Sequence, residues 1–210
     1  EIFNAYSGCM LGNPAVSVLA DAYVKGIRNY DVEEAFRLFP DGSVEVVSLH
    51  DECKEVMIYL GGGEPTLSAT AVGRGRVEFR RAELTSVASP EEFAKDEYRY
   101  LIIPDVSLQK ARIVANALQG VADVWSNNSF GFARELPEGV LGRVERIERI
   151  EIFDIKSLKR ELKGKGVDIV LRDFPMGVDE IRKRTASRSG NEKRIALTRI
   201  AGKSYTIYLA

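Results

Sequence analysis

The chain has 210 residues, 30 Lys+Arg against 31 Asp+Glu, 45% hydrophobic and 29% charged residues, one His and two Cys. That is globular composition for one large or two small domains, and it excludes a wholly disordered chain, a disulfide-stapled scaffold and a zinc site closed by Cys and His alone. The near-neutral total hides a split. Residues 1–142 carry 13 Lys+Arg and 21 Asp+Glu, whereas residues 143–210 carry 17 and 10, so an acidic part precedes a basic module that suits a polyanionic partner or a well-solvated surface.

Residues 13–28 read as a helix. Asn13 can cap it, Pro14 suits its first position, and Val16, Leu19, Ala20, Tyr23, Val24 and Ile27 recur at helical spacing. Asp31 with Glu34 has the spacing of a capping box ahead of a second short helix, 31–39, which Pro40-Asp41-Gly42 stops. Together they predict a helical hairpin.

At Gly42 the texture changes to β-branched runs. Residues 43–49 and 54–60 predict paired strands separated by His50-Asp51-Glu52, and Gly61-Gly62-Gly63 then breaks the chain. Residues 66–72 and 76–84 predict two more strands, with Gly73-Arg74-Gly75 as a hairpin turn. An acidic connection, 85–97, leads to a strand at 98–103 ended by Pro104-Asp105. One helix follows, capped by Ser107, with Leu108, Ala111, Val114, Ala115 and Leu118 on a shared face. Asn127-Asn128-Ser129 marks a loop between two short extended pieces within 125–132.

From Arg143 the order is strand 143–153, helix 155–163, strand 167–172, helix 178–185, strand 193–200, a turn at Gly202-Lys203 and strand 204–209. This β-α-β-α-β-β order predicts an α+β module with helices on one face of a sheet and the other face left available. The whole chain is then α+β: a helical hairpin segment at 1–42, a mixed α/β region at 43–142, and the basic module at 143–210.

Few clusters invite chemistry. Gly61-Gly62-Gly63 and Gly73-Arg74-Gly75 complete neither a dinucleotide fingerprint nor a P-loop, so they read as turns. His50-Asp51-Glu52-Cys53 gathers polar groups, but adjacent residues on an extended segment point to opposite faces, and the chain has no second His. The most specific set is cationic: Arg172, Arg182, Lys183, Arg184, Arg188, Lys193 and Arg194. Three of these end a helix, where they complement its dipole. The others could follow a phosphate backbone if the fold brings them together, with Tyr205 and Tyr208 as a stacking face or as strand packing.

Two resemblances follow from particular motifs. Val46-Val47-Ser48 with Glu52-Cys53-Lys54-Glu55-Val56, then Tyr98-Arg99-Tyr100-Leu101-Ile102-Ile103-Pro104-Asp105, then Arg172-Asp173-Phe174-Pro175 with Glu180-Ile181-Arg182-Lys183-Arg184 make residues 43–210 resemble the C-terminal region of S-adenosylmethionine-dependent methyltransferases that end in a THUMP-like domain. That resemblance implies the last strands of a methyltransferase sheet, a ferredoxin-like segment, RNA binding by 143–210 and a cytoplasmic protein. The family's cofactor loop and Asp-Pro-Pro-type motif have no counterpart here, so no cofactor is expected in this chain, and a methyltransferase catalytic part is expected elsewhere.

Residues 6–39, from Tyr6-Ser7-Gly8-Cys9-Met10-Leu11-Gly12-Asn13-Pro14 through Asp31-Val32-Glu33-Glu34-Ala35, resemble instead the calcium-dependent α-mannosidases of glycoside hydrolase family 92, with Pro14 where that family carries His. The two families differ in compartment, so the chain reads as a fragment or a chimera joined near Gly42. The expected function is RNA interaction by a methyltransferase-like protein. The alternatives are methyltransferase activity completed by a partner chain, or a piece of an α-mannosidase. No apolar window is long enough to span a membrane.

Overall fold

The computed structural model describes residues 42–60, 63–87 and 90–210. The helices expected at 13–28 and 31–39 lie outside those residues. The chain divides into two units, one ending at Leu84 and one spanning Thr85–Ala210.

In the first unit β1 (Gly42–Leu49) and β2 (Glu52–Leu60) pair antiparallel. Only His50 and Asp51 form the turn between them, both at positive φ (53° and 63°), the backbone a two-residue hairpin demands. β3 (Thr66–Ala71) runs parallel to β1, and β4 (Gly75–Arg80) returns along β3, giving the order β2-β1-β3-β4. Val44, Val46 and Ala69 are buried. On the opposite face Glu45 accepts hydrogen bonds from the Thr70 hydroxyl at 2.6 Å, the Tyr59 hydroxyl at 3.0 Å and Arg76 Nε at 3.2 Å. These bonds, Thr70's foremost, hold its carboxyl below the usual carboxylate range.

The second unit contains β5 (Tyr100–Pro104), α1 (Val106–Lys110), α2 (Val114–Ala117), β6 (Asp123–Val124), β7 (Gly131–Ala133) and β8 (Gly142–Ile152). It continues with α3 (Ile155–Leu162), β9 (Gly166–Arg172), α4 (Val178–Thr185), β10 (Arg188–Ser189), β11 (Lys193–Ile200) and β12 (Lys203–Leu209). The strands form one sheet of order β10-β9-β11-β12-β8-β5-β7-β6. The class is α+β, and β8 through β12 follow the expected β-α-β-α-β-β order with the short β10 added. The boundary expected at 142/143 falls at the start of β8, which pairs with β5 on one side and β12 on the other.

One helix was expected after Asp105, and the chain instead makes two short ones. Arg112 adopts φ = +57°, which ends α1 before the apolar periodicity runs out. The cap is Asp105 rather than Ser107: its Oδ1 accepts from the Ser107 amide at 2.9 Å and the Ser107 hydroxyl at 2.8 Å.

Strand alternation sorts β9, β11 and β12 onto two faces. Val167, Ile169, Ile195, Leu197 and Tyr208 pack beneath Leu158 and Leu162 of α3 and Ile181 of α4. The face expected to stay available is instead filled, because Ala196, Ile200, Tyr205, Ile207 and Leu209 share a second cluster with Tyr98, Leu101, Phe130 and Phe132, and Phe93 and Trp125 pack against it. Burying that apolar face removes it from water at roughly 25 cal/mol per Å². A sheet face made of Ile, Leu and Tyr does not remain open when residues 93–132 can reach it.

Candidate nucleic-acid interface

The two helices of the basic module end side by side. The Gly164 amide after α3 donates to the Ala186 carbonyl after α4 at 2.9 Å, and the Arg188 amide donates to the Lys165 carbonyl at 2.9 Å. β9 and β11 are parallel and start at this same end, with Lys193 opposite Val167. Gly166 and Gly190 allow β10 to lie against β9, since a Cβ on Gly190 would fall 2.7 Å from the Gly166 Cα. Chain turns therefore collect Lys159, Lys163, Lys165, Lys183, Arg188 and Lys193 at one end of the module.

Lys159, Lys163 and Lys183 are exposed and Lys193 is half-buried. None of the four makes an ion pair with a described residue. Each helix C-terminus contributes only about half a negative charge, so the end is net cationic. Lys159, Lys163 and Lys165 were missed from sequence, where α3 reads as an ordinary charged helix. The available signal was Gly164 and Gly166 folding that helix end back against the start of β9.

The seven cations singled out from sequence divide. Arg182, Lys183 and Arg184 sit on the last turn of α4, where Arg182 pairs with Asp179 at 3.8 Å and Arg184 with Glu180 at 2.6 Å. Arg188 pairs with Glu192, which together with the Gly166 backbone holds the Glu192 carboxyl below its ordinary range. Lys193 and Arg194 are neighbours in sequence but point to opposite faces of β11. Arg194 is clasped between Glu145 of β8 at 2.7 Å and Asp168 of β9 at 3.0 Å. Arg172 ends β9, about 20 Å from Gly166 at 3.3 Å per residue, so it stands apart from the cationic end.

Tyr205 and Tyr208 do not form a stacking face. They are 8% and 4% exposed, three residues apart on one strand, and so on opposite faces. Tyr205 packs edge-to-face on Phe93, centroids 4.8 Å apart. Tyr208 lies under the Arg149 guanidinium, 3.5 Å from the ring centroid. Burial foremost, then the Glu161 and Glu151 charges, push its hydroxyl up to about 12.

Gly73-Arg74-Gly75 closes the β3–β4 hairpin and leads into no helix N-terminus, so it offers no dipole to a cofactor phosphate or carboxylate. Among the described residues no cluster of three His, Cys, Asp or Glu could hold a metal ion, and no helix is long and apolar enough to cross a membrane.

The fold and the cationic end thus define an α+β module with a polybasic edge. Residues 142–210 match the family profile described as THUMP domain-like, and residues 1–57 match that of the glycosyl hydrolase family 92 catalytic domain. The second match runs past Gly42 through β1 into β2. No curated protein matches the chain. Among solved structures the chain is similar to that of a "putative methyltransferase" from Porphyromonas gingivalis W83, at 21% identity and a TM-score of 0.67, over 80% of this chain and 45% of that one. The chain spans under half of that protein, and the likeness is one of fold.

Proposed function

We propose that this chain is the RNA-binding portion of a methyltransferase-like protein of the cytoplasm, and that it does not bind S-adenosylmethionine by itself. The observation that carries the reading is the convergence of Lys159, Lys163, Lys183 and Lys193 at one end without carboxylate partners among the described residues. An ammonium group is a point charge suited to backbone phosphate, and each phosphate it neutralises releases counterions. Tyr205 and Tyr208 offer no stacking, so contacts fall on the backbone of a structured RNA and read its shape rather than its bases. The THUMP domain-like match over these residues and the fold shared with the longer Porphyromonas gingivalis protein support the assignment. A methyltransferase catalytic part, on a longer protein or a partner chain, would supply cofactor and active site.

Binding of a labelled RNA hairpin to the full chain between about 50 and 200 mM salt should give a log–log slope near −3 if all four lysines touch phosphate. No binding at the lowest salt, or a slope near zero, overturns the reading. Heat on titrating S-adenosylmethionine into the chain would show that it binds the cofactor after all. The α-mannosidase alternative draws on residues 1–57 only. Glycoside hydrolysis needs two carboxylates flanking the bond, and turnover of an aryl mannoside with calcium would restore it.

A further inference from the structure

The carboxylate of Glu192 is folded into the cationic end of the basic module. Arg188 of β10 stands opposite Gly166 of β9, and the turn through Gly190 and Asn191 carries Glu192 back over the start of β9. There its Oε1 accepts a hydrogen bond from the Arg188 guanidinium and lies 3.1 Å from the point where a Cβ on Gly166 would stand. The carboxylate also accepts from the Gly166 amide, and the Lys165 ammonium adds to the positive potential around it. The other ion pairs of this region, Arg182 with Asp179 and Arg184 with Glu180, join side chains along one helix. Glu192 differs in drawing on the backbone as well. A guanidinium, an amide with no Cβ in the way and a nearby ammonium are the donors a phosphate group takes. The Arg188 and Glu192 side chains are 68% and 50% exposed, so their ion pair is weak enough to be exchanged and the place it fills opens to solvent.

We propose that Arg188, the Gly166 amide and Lys165 form a phosphate-binding cradle that Glu192 keeps filled, so that Glu192 competes from within the chain against a backbone phosphate of RNA. The inference rests on the RNA-binding reading and adds a latent fifth contact to the four lysines. Lys193 follows Glu192 directly, and Lys183 lies on α4, whose end is tied to Gly164. An RNA backbone lying across those lysines therefore passes the cradle. While Glu192 is seated, Arg188 spends its charge inside the chain, and the RNA meets the lysines alone.

Anisotropy of a labelled RNA hairpin on the full chain, across a range of salt, tests the cradle in the parent, Glu192→Gln, Arg188→Ala and the double variant. Glu192→Gln should tighten binding about four- to sixfold at about 0.15 M salt and steepen the log–log slope by about 0.7–0.9, the mark of one further phosphate contact. In the Arg188→Ala background the same substitution should gain less than about twofold, the share left to screened long-range charge, with the slope unchanged. Equal gains in both backgrounds would mean that only a negative charge was removed from a cationic surface, and they overturn the proposal, as does no gain in either. The Gly166 amide resonance of Glu192→Gln should shift when the hairpin is added. Inorganic phosphate that shifts it where the hairpin does not would assign the cradle to a free anion and overturn its part in RNA binding. If Glu192→Gln fails to fold, as circular dichroism would show, Glu192→Asp carries the test. It withdraws the carboxylate by one methylene at unchanged net charge and should still tighten binding, whereas a pure charge effect leaves the affinity where it was. A chain that binds no RNA at any salt overturns both readings, whereas salt-dependent RNA binding that neither Glu192 variant alters overturns the cradle alone.

Discussion

Replacing Lys183 and Arg194 by Ala, one at a time, should give opposite phenotypes, although both belong to the basic set that sequence alone groups together. Lys183 is exposed on the last turn of α4 and has no ion-pair partner among the described residues. Its loss should leave the melting temperature unchanged and make the salt slope of RNA binding shallower by about 0.7–0.9, which at about 0.15 M salt is a four- to sixfold loss of affinity. Arg194 is clasped by Glu145 and Asp168, with side chains 28%, 16% and 47% exposed. Its loss leaves a largely buried carboxylate without its cation, a cost of about 1–2 kcal/mol after discounting for solvent at Asp168. That corresponds to a fall of about 2–8 °C in melting temperature for a chain of this size, with the salt slope unchanged. Fluorescence anisotropy with a labelled RNA hairpin and a thermal melt read the two effects separately. If Arg194→Ala flattens the salt slope as much as Lys183→Ala while the melt stays put, Arg194 faces the nucleic acid and the division drawn from the fold is refuted.

The acid limb of stability should depend on Glu161. Burial tends to raise its carboxyl pKa, but paired hydrogen bonds from Arg149 at 2.7 and 2.8 Å outweigh this and hold it below the ordinary value of 4.5. Because the folded pKa is depressed, the stabilisation is present above pH 4.5 and is lost as pH falls through the folded value. Glu161→Gln should cost about 1 kcal/mol at neutral pH and converge with the parent chain in acid, as urea melts across pH would show. A constant difference down to the acid transition would count against the pair. Gly190→Ala should push β10 off β9, since the added Cβ would lie 2.7 Å from the Gly166 backbone. The expected cost is about 1–3 kcal/mol, with weaker RNA binding through displaced Arg188 and Lys193, and an unchanged melt and affinity would contradict the close approach.

The sequence alone sets the strand and helix order from Arg143 onward, apart from the two-residue β10, because local signals separate the longer elements, such as Gly164 after α3 and the turn at Gly202 between β11 and β12. It also determined the acidic-to-basic split and the two family resemblances. From Arg143 onward element boundaries followed the signals to within a residue or two, whereas before it the strand expected at 76–84 ends at Arg80, one of the short extended pieces expected within 125–132 lies at Asp123–Val124, and the positive φ of Arg112 divides the helix expected after Asp105. Which face of the sheet stayed open was decided only by tertiary packing. Periodicity shows that Tyr205, Ile207 and Leu209 lie on one side of a strand, but not that Phe93 and Trp125 arrive from a distant segment to cover them. The same holds for the cations. Spacing placed seven of them in one stretch, yet strand alternation turned Arg194 away from Lys193, the length of β9 carried Arg172 to the far end, and chain reversal at Gly164 brought Lys159 and Lys163 of α3 beside Lys183. Charge is a property of sequence, whereas which charges remain free for a phosphate depends on the carboxylates that folding sets beside them.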